Sequence, residues 1–92
     1  MSKIVRKTSL VNLGSITFHY AEIYAYPDMA KLVIRNEDQY PITGADCASE
    51  EDAKLALRLA TGEGWKVTGV TEYKWIDTGD GRTRLVPEYH NC

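Results

Sequence analysis

The sequence predicts an α+β fold: a single two-layer domain in which one helix packs on one face of a five-stranded antiparallel sheet, in the order βββαββ. Three observations lead there. Runs of β-branched and aromatic residues fill much of the first and last thirds of the chain. Only one stretch, after Ala48, carries the apolar period of a helix. The chain has 92 residues, 43% of them hydrophobic, which fits a single domain spanning 1–92 around one core.

The elements follow in order. Ile4 to Val11 reads as a short strand, and Asn12-Leu13-Gly14 as the turn after it. Ser15 to Tyr26, with Ile16, Thr17, Phe18, Tyr20, Ile23, Tyr24 and Tyr26, is the strongest strand signal. Glu22 interrupts its even-numbered face, so a bulge or a switch of faces is expected near Ala21. Pro27-Asp28 marks a second turn, Ala30 to Arg35 a third strand, and the three strands form a meander. Tyr40-Pro41-Ile42-Thr43-Gly44 reads as an irregular connection with room for a short edge strand.

Ser49 is the expected N-cap of the helix, with Asp52 three positions on. Glu50, Glu51 and Asp52 suit the positive end of the helix dipole. Ala53, Ala56, Leu57 and Ala60 share the face that should pack, and Gly62 is the expected stop. Trp65 to Ile76 returns to strand, with Trp65, Val67, Tyr73 and Trp75 on one face and Gly69 making room between them. Asp77-Thr78-Gly79-Asp80-Gly81 is a hairpin loop, and Arg82 to Tyr89 is the last strand, placed at an edge by Pro87.

Composition excludes several classes. A net charge of −2 and a pI near 5.6 do not suit a strongly basic nucleic-acid module or a highly acidic DNA mimic. The negative balance has one source: the segment 36–53 holds six acids (Glu37, Asp38, Asp46, Glu50, Glu51, Asp52) and no base. Two cysteines are too few for a disulfide scaffold. The first residues interleave charges with apolar side chains, unlike a signal peptide, and no apolar run is long enough to span a membrane. A cytoplasmic location is therefore expected, with Cys47 and Cys92 as reduced thiols.

Possible catalytic and metal motifs do not survive inspection. Asp77-Thr78-Gly79 matches the aspartic-protease triplet, but too few residues follow to complete such a site, so a hairpin loop is the better reading. Asp77-x-x-Asp80-Gly81 lacks the register of a calcium loop. Gly62-Glu63-Gly64 follows a helix, whereas phosphate loops open one. His19, His90, Cys47 and Cys92 have no zinc-ligand spacing, and nothing constrains Cys47 as a nucleophile with His19 as its base. No catalytic residue, metal or cofactor is expected.

What remains is basic and aromatic. Lys3, Arg6, Lys7, Lys31 and Arg35 fall on the first three strands; Lys66, Lys74, Arg82 and Arg84 fall on the last two. Interleaved with Tyr20, Tyr24, Tyr26 and Tyr73, they could form a sheet surface that contacts phosphate or stacks on bases. The competing reading makes the bases a solvated face and the tyrosines core. The partner-binding residues expected are Lys7, Tyr24, Lys31, Arg35, Lys74, Arg82 and Arg84, joined on the acidic side by Glu37 and Asp38.

Two resemblances add to this. The stretch Ala53 to Val70, where the helix stops at Gly62-Glu63-Gly64-Trp65, resembles small bacterial and phage domains and bears on fold alone. The whole chain resembles phage-encoded anti-CRISPR proteins of the type I-F inhibitor group. That likeness runs from Met1-Ser2-Lys3-Ile4-Val5-Arg6-Lys7 through Ser15-Ile16-Thr17-Phe18-His19-Tyr20 to Tyr89-His90-Asn91-Cys92. It implies a non-enzymatic inhibitor, acting as a monomer in the host bacterial cytoplasm, that binds the type I-F crRNA-guided surveillance complex and stops it from binding or hybridising target DNA or from recruiting its nuclease. In that setting the basic strands would approach the crRNA, and the acidic segment would meet lysine-rich Cas protein surfaces. The alternatives are a small structural or accessory phage protein that self-assembles through edge strands at Ile4–Val11 and Arg82–Tyr89, a single-stranded nucleic-acid-binding module, and an enzyme that modifies a host factor.

Overall fold

In the computed structural model, which describes residues 3–14 and 19–91, six strands and one helix follow one another along the chain. They are β1 (Arg6–Val11), β2 (Tyr20–Ala25), β3 (Ala30–Arg35), β4 (Pro41–Cys47), α1 (Glu50–Thr61), β5 (Lys66–Asp77) and β6 (Thr83–Asn91). All six strands join one sheet in the order β4-β3-β2-β1-β5-β6, with every neighbouring pair antiparallel. The α+β class and the single helix agree with the sequence, but the strand count does not. The segment read as an irregular connection with room for a short edge strand supplies a full edge strand, β4, paired with β3 from Ala30↔Cys47 to Arg35↔Pro41. Gly44, Ala45 and Asp46 have little β propensity, and pairing with an already formed meander overrides it.

The crossover also changes the edges. After β4 the chain runs through α1 and returns beside β1, so β1 lies between β2 and β5 in the interior of the sheet. Ile4–Val11 is therefore not an edge available for self-assembly; the edges are β4 and β6. Pro87 sits on β6 as an edge proline should. Ser15, Ile16, Thr17 and Phe18, which the sequence assigns to the second strand, lie outside the described residues, as do Met1, Ser2 and Cys92.

The core lies between the sheet and α1. Leu10, Ala21, Ile23, Ala30, Leu32 and Ile34 point from β1, β2 and β3 toward Ala53 and Leu57 of the helix. The alanines on the central strands let the helix backbone approach closely. The Ser49 hydroxyl caps α1 by accepting from the Asp52 N–H at 3.3 Å, and Gly62 ends the helix at φ +86°. Ser49→Ala is expected to lower stability by about 1 kcal/mol, read as a shift in the urea midpoint with an unchanged slope. Trp65 then folds back against the core, and its indole N–H donates to the Thr61 hydroxyl at 2.8 Å.

Bulges occur, but not where the sequence put one. β2 pairs with both neighbours without a shift from Tyr20 to Ala25, so there is no break near Ala21. One lies in β3–β4, where Ile34 faces Thr43 and Arg35 faces Pro41, leaving Ile42 as the extra residue; the other is in β1–β5, where Ser9 faces Gly69 and Leu10 faces Val67, leaving Thr68 as the extra residue. Its hydroxyl donates to the Ser9 carbonyl at 3.2 Å. This extra residue splits the face expected for the fifth strand. Trp65 and Val67 turn toward the helix, whereas Gly69, Thr71, Tyr73 and Trp75 turn to the opposite side. Gly69 makes room for Tyr89 of β6, whose ring Cζ would lie 2.7 Å from a Cβ built at that position.

β5 is twice the length of β1, so beyond Tyr73 it pairs only with β6. This two-stranded arm gives the molecule its long dimension of 49 Å against 25 and 22 Å across. At its tip the Asp77 and Asp80 carboxylates accept the N–H groups of Gly79 (2.9 Å) and Arg82 (3.1 Å). The Asp77-Thr78-Gly79 triplet is thus a hairpin loop held by its own carboxylates.

Candidate interaction surface

α1 covers one side of β2, β3 and β4, and among the described residues no element covers the other side. Register fixes what that uncovered face presents. Lys7 and Ser9 from β1 line up with Glu22 and Tyr24 from β2, and Tyr24 in turn lines up with Lys31 on β3. Tyr20 lies beside Arg35, and Thr71 and Tyr73 continue the face onto β5. Tyrosines expected either as core or as a stacking platform are half-buried here, between these two descriptions.

At its centre is a charge cluster. Glu22 receives Arg35 Nε at 2.7 Å and Lys7 Nζ at 3.1 Å. Arg35 also donates from Nη1 to the Gln39 carbonyl at 3.0 Å, which ties the β3–β4 turn to the sheet. In that turn Gln39 adopts φ +64°, and the Asn36 side chain accepts the N–H groups of Asp38 and Tyr40, each at 3.0 Å. Burial pushes the Glu22 carboxyl up, but hydrogen bonds from Arg35 and Lys7 outweigh it and hold the group below the usual glutamate value. The Lys7 ammonium is raised by its bond to Glu22, and the Tyr24 phenol by burial and by the same carboxylate. A carboxylate held ionised by two cations is a weak general base, so this cluster organises a surface rather than supplying proton transfer. Glu22 thus occupies the face with Tyr20 and Tyr24 without a bulge because that face is not the core and its charge is neutralised there.

A cavity of about 490 Å³ opens beside the cluster, lined by Ser9, Val11, Tyr20, Glu22, Tyr24 and Arg35. Toward the arm, Lys3 Nζ sits 4.7 Å from the centre of the Trp75 ring, and the Trp75 indole N–H donates to the Ile4 carbonyl at 3.4 Å.

The nine residues expected to form one partner surface do not all meet. Lys7, Tyr24, Lys31 and Arg35 share the uncovered face. Lys74 and Arg84 align with Glu72 and Arg6 on the side that carries the helix, and Lys74 lies 3.7 Å from Glu88. Arg82 belongs to the hairpin tip. Glu37 and Asp38 lie in the β3–β4 turn, at the opposite end of the molecule from that tip. The split follows from strand alternation in a register set by the Thr68 bulge, which charge counting along the chain does not capture.

On the helix side, Glu50 takes a two-point contact from Arg6 (Nε 3.2 Å, Nη2 2.9 Å) and a hydrogen bond from the Thr8 hydroxyl at 2.6 Å. Burial raises its carboxyl, yet Thr8 and Arg6 together leave it below the ordinary value. This pins the start of α1 to β1, a role the sequence reading did not assign to either residue. Cys47 pairs with Ala30 at one end of the sheet, whereas the His19 N–H bonds to the Arg35 carbonyl at the other, so the two are not a nucleophile–base pair. Among the described residues no group of three or more His, Cys, Asp or Glu side chains could hold a metal, and no helix is long and apolar enough to cross a membrane.

The architecture and surface define a small α+β protein with one uncovered, partly aromatic sheet face. Comparison with protein families, with curated proteins and with solved structures finds no match to this chain.

Proposed function

We propose that the chain is a non-catalytic binding protein that uses the uncovered face of its sheet, and that its target is a type I-F crRNA-guided surveillance complex of the host cell. The observation that carries the binding role is the juxtaposition of Lys7, Lys31 and Arg35 with Tyr20, Tyr24 and Tyr73 on a face that no described element covers. Extended aromatic and cationic surface suits a macromolecule better than a small substrate. The choice of target rests on the resemblance to the type I-F anti-CRISPR group. On this reading the protein occupies the surveillance complex as a monomer and prevents target DNA from binding or hybridising.

The test is a target-DNA shift assay with purified complex and two orders of addition. Loss of DNA binding only when the protein precedes DNA, with the protein co-migrating, is the expected result. Normal DNA binding without co-migration would end this reading. Lys31 is the probe of the surface itself: it is exposed, and among the described residues no ion pair engages it. Lys31→Glu is expected to weaken co-migration about tenfold with an unchanged unfolding midpoint. Arg35→Glu is a poorer probe, because Arg35 holds Glu22 and the Gln39 carbonyl and its loss would disturb the fold.

The same tyrosines and cations favour one other reading, a single-stranded nucleic-acid module. It predicts binding of naked RNA that falls steeply with added salt, whereas the surveillance-complex reading predicts none.

A further inference from the structure

We infer that β4 is a docking edge for an extended, lysine- or arginine-rich segment of another protein, which would add to the sheet as a seventh strand. This concerns a different surface from the uncovered face and does not depend on the identity of the target complex.

Among the described residues β4 pairs with β3 alone, so the backbone groups on its outer edge have no strand partner there. Residues Pro41 to Asp46 are all exposed, and the middle of the strand, Thr43-Gly44-Ala45, has only small side chains with which to shield that backbone. Gly44 cannot carry a side chain in place, because a Cβ there would stand 2.7 Å from the Leu32 carbonyl oxygen. The opposite edge is protected differently. Pro87 lies in the middle of β6 and removes a donor, whereas the only proline of β4 is its first residue. Of the two outer strands of the sheet, β4 is the one left open, from Thr43 to Cys47 beyond the bulge at Ile42.

Charge selects the occupant. The chain carries no base between 36 and 53, and the fold distributes the acids of that stretch to both ends of β4. Glu37 and Asp38 are exposed in the turn before it; Asp46 is exposed near its end; Glu51 and Asp52 are exposed on the first turn of α1. A strand laid along β4 would meet carboxylates at each end, which favours a basic segment. Exposed Tyr40 and Ile42 add apolar contacts at one end. A second copy of β4 fits poorly, because antiparallel self-pairing about Gly44 would bring the Glu37 and Asp38 end of each strand toward the Asp46 end of the other, acid against acid. The recognition is backbone pairing with charge at its margins.

The experiment uses the full 92-residue chain, isotopically labelled, and reads backbone amide exchange residue by residue. The probe is a blocked peptide of alternating lysine and valine. The controls are the same peptide with glutamate for lysine, and the lysine peptide N-methylated at alternate positions to remove its donors. The expected result is about tenfold slower exchange at alternate amides of Thr43 to Cys47 with the lysine peptide and not with either control. The double variant Asp38→Lys, Asp46→Lys should abolish that protection and transfer it to the glutamate peptide. Protection on β6, equal protection by the N-methylated peptide, no protection, or protection of β4 by raised protein concentration alone would each overturn the inference.

Discussion

Leu57→Ala is expected to lower the unfolding free energy by about 3 kcal/mol, which is a large part of the stability of a domain this size. Leu57 is 1% exposed and, with Ala53, is the only fully buried side chain of α1. It fills the space over Ile23, Leu32 and Ile34, and the alanines Ala21 and Ala30 have no length with which to collapse into the hole. A helix of 12 residues has little stability of its own, so its docking depends on this contact. Urea unfolding followed by circular dichroism is the measurement, with Leu59→Ala as the control. Leu59 is 79% exposed, and its truncation should change stability by less than about 0.5 kcal/mol. Equal losses in the two variants would mean that α1 is not docked through this face.

The second large effect is at Glu22. Glu22→Gln leaves Lys7 and Arg35 side by side without their counter-charge, and at neutral pH it is expected to cost about 2 kcal/mol, a figure kept low because all three groups retain some solvent contact. The pH dependence has a definite sign. The folded carboxyl of Glu22 is held below its ordinary value. Its contribution is therefore fully present above the unfolded glutamate value near about 4.3 and is lost as pH falls through the lower folded value. Glu50 shifts in the same direction and loses its contribution in the same acid range. Lys7 is raised, so its share is present below the ordinary lysine value and disappears only under alkaline conditions, as pH rises through the raised one. Urea midpoints measured from pH 7 down to 3 should thus fall steeply for the parent chain and less steeply for Glu22→Gln. Parallel curves would show that the cluster contributes nothing.

Local signals in the sequence survived folding well. Ser49, Gly62 and Trp65 mark the helix and its stop through short-range chemistry, and Asp77 to Gly81 mark a loop whose carboxylates bond to their own backbone. The meander from β1 to β3 was also legible, since its turns lie between strands adjacent in sequence. What the sequence concealed depends on distant partners. β4 is a strand because β3 offers it an edge, and β1 is interior because β5 returns beside it. The Thr68 bulge changes the side on which every later residue of β5 emerges, so Lys74 and Arg84 left the face of Lys7 and Arg35. Glu22 reads as an interruption of the even-numbered face, and the unbroken pairing of β2 shows that it is not one. Its position between Tyr20 and Tyr24 marked it as a member of that face.

The interior position of β1 sets an order of events during folding. One of its edges is closed by the adjacent hairpin to β2, but the other waits for β5, so that Arg6 must meet Glu72 from the far side of the chain. A growing polypeptide can assemble the β1–β4 meander and dock α1 while that second edge is still bare. The interval before residues 66–77 arrive is when one nascent chain can capture another, because β1 then presents an unpaired strand with buried-type side chains on one side. Slow translation or truncation within β5 should therefore produce aggregates rather than a smaller folded protein, even though the sheet would lack only its last hairpin.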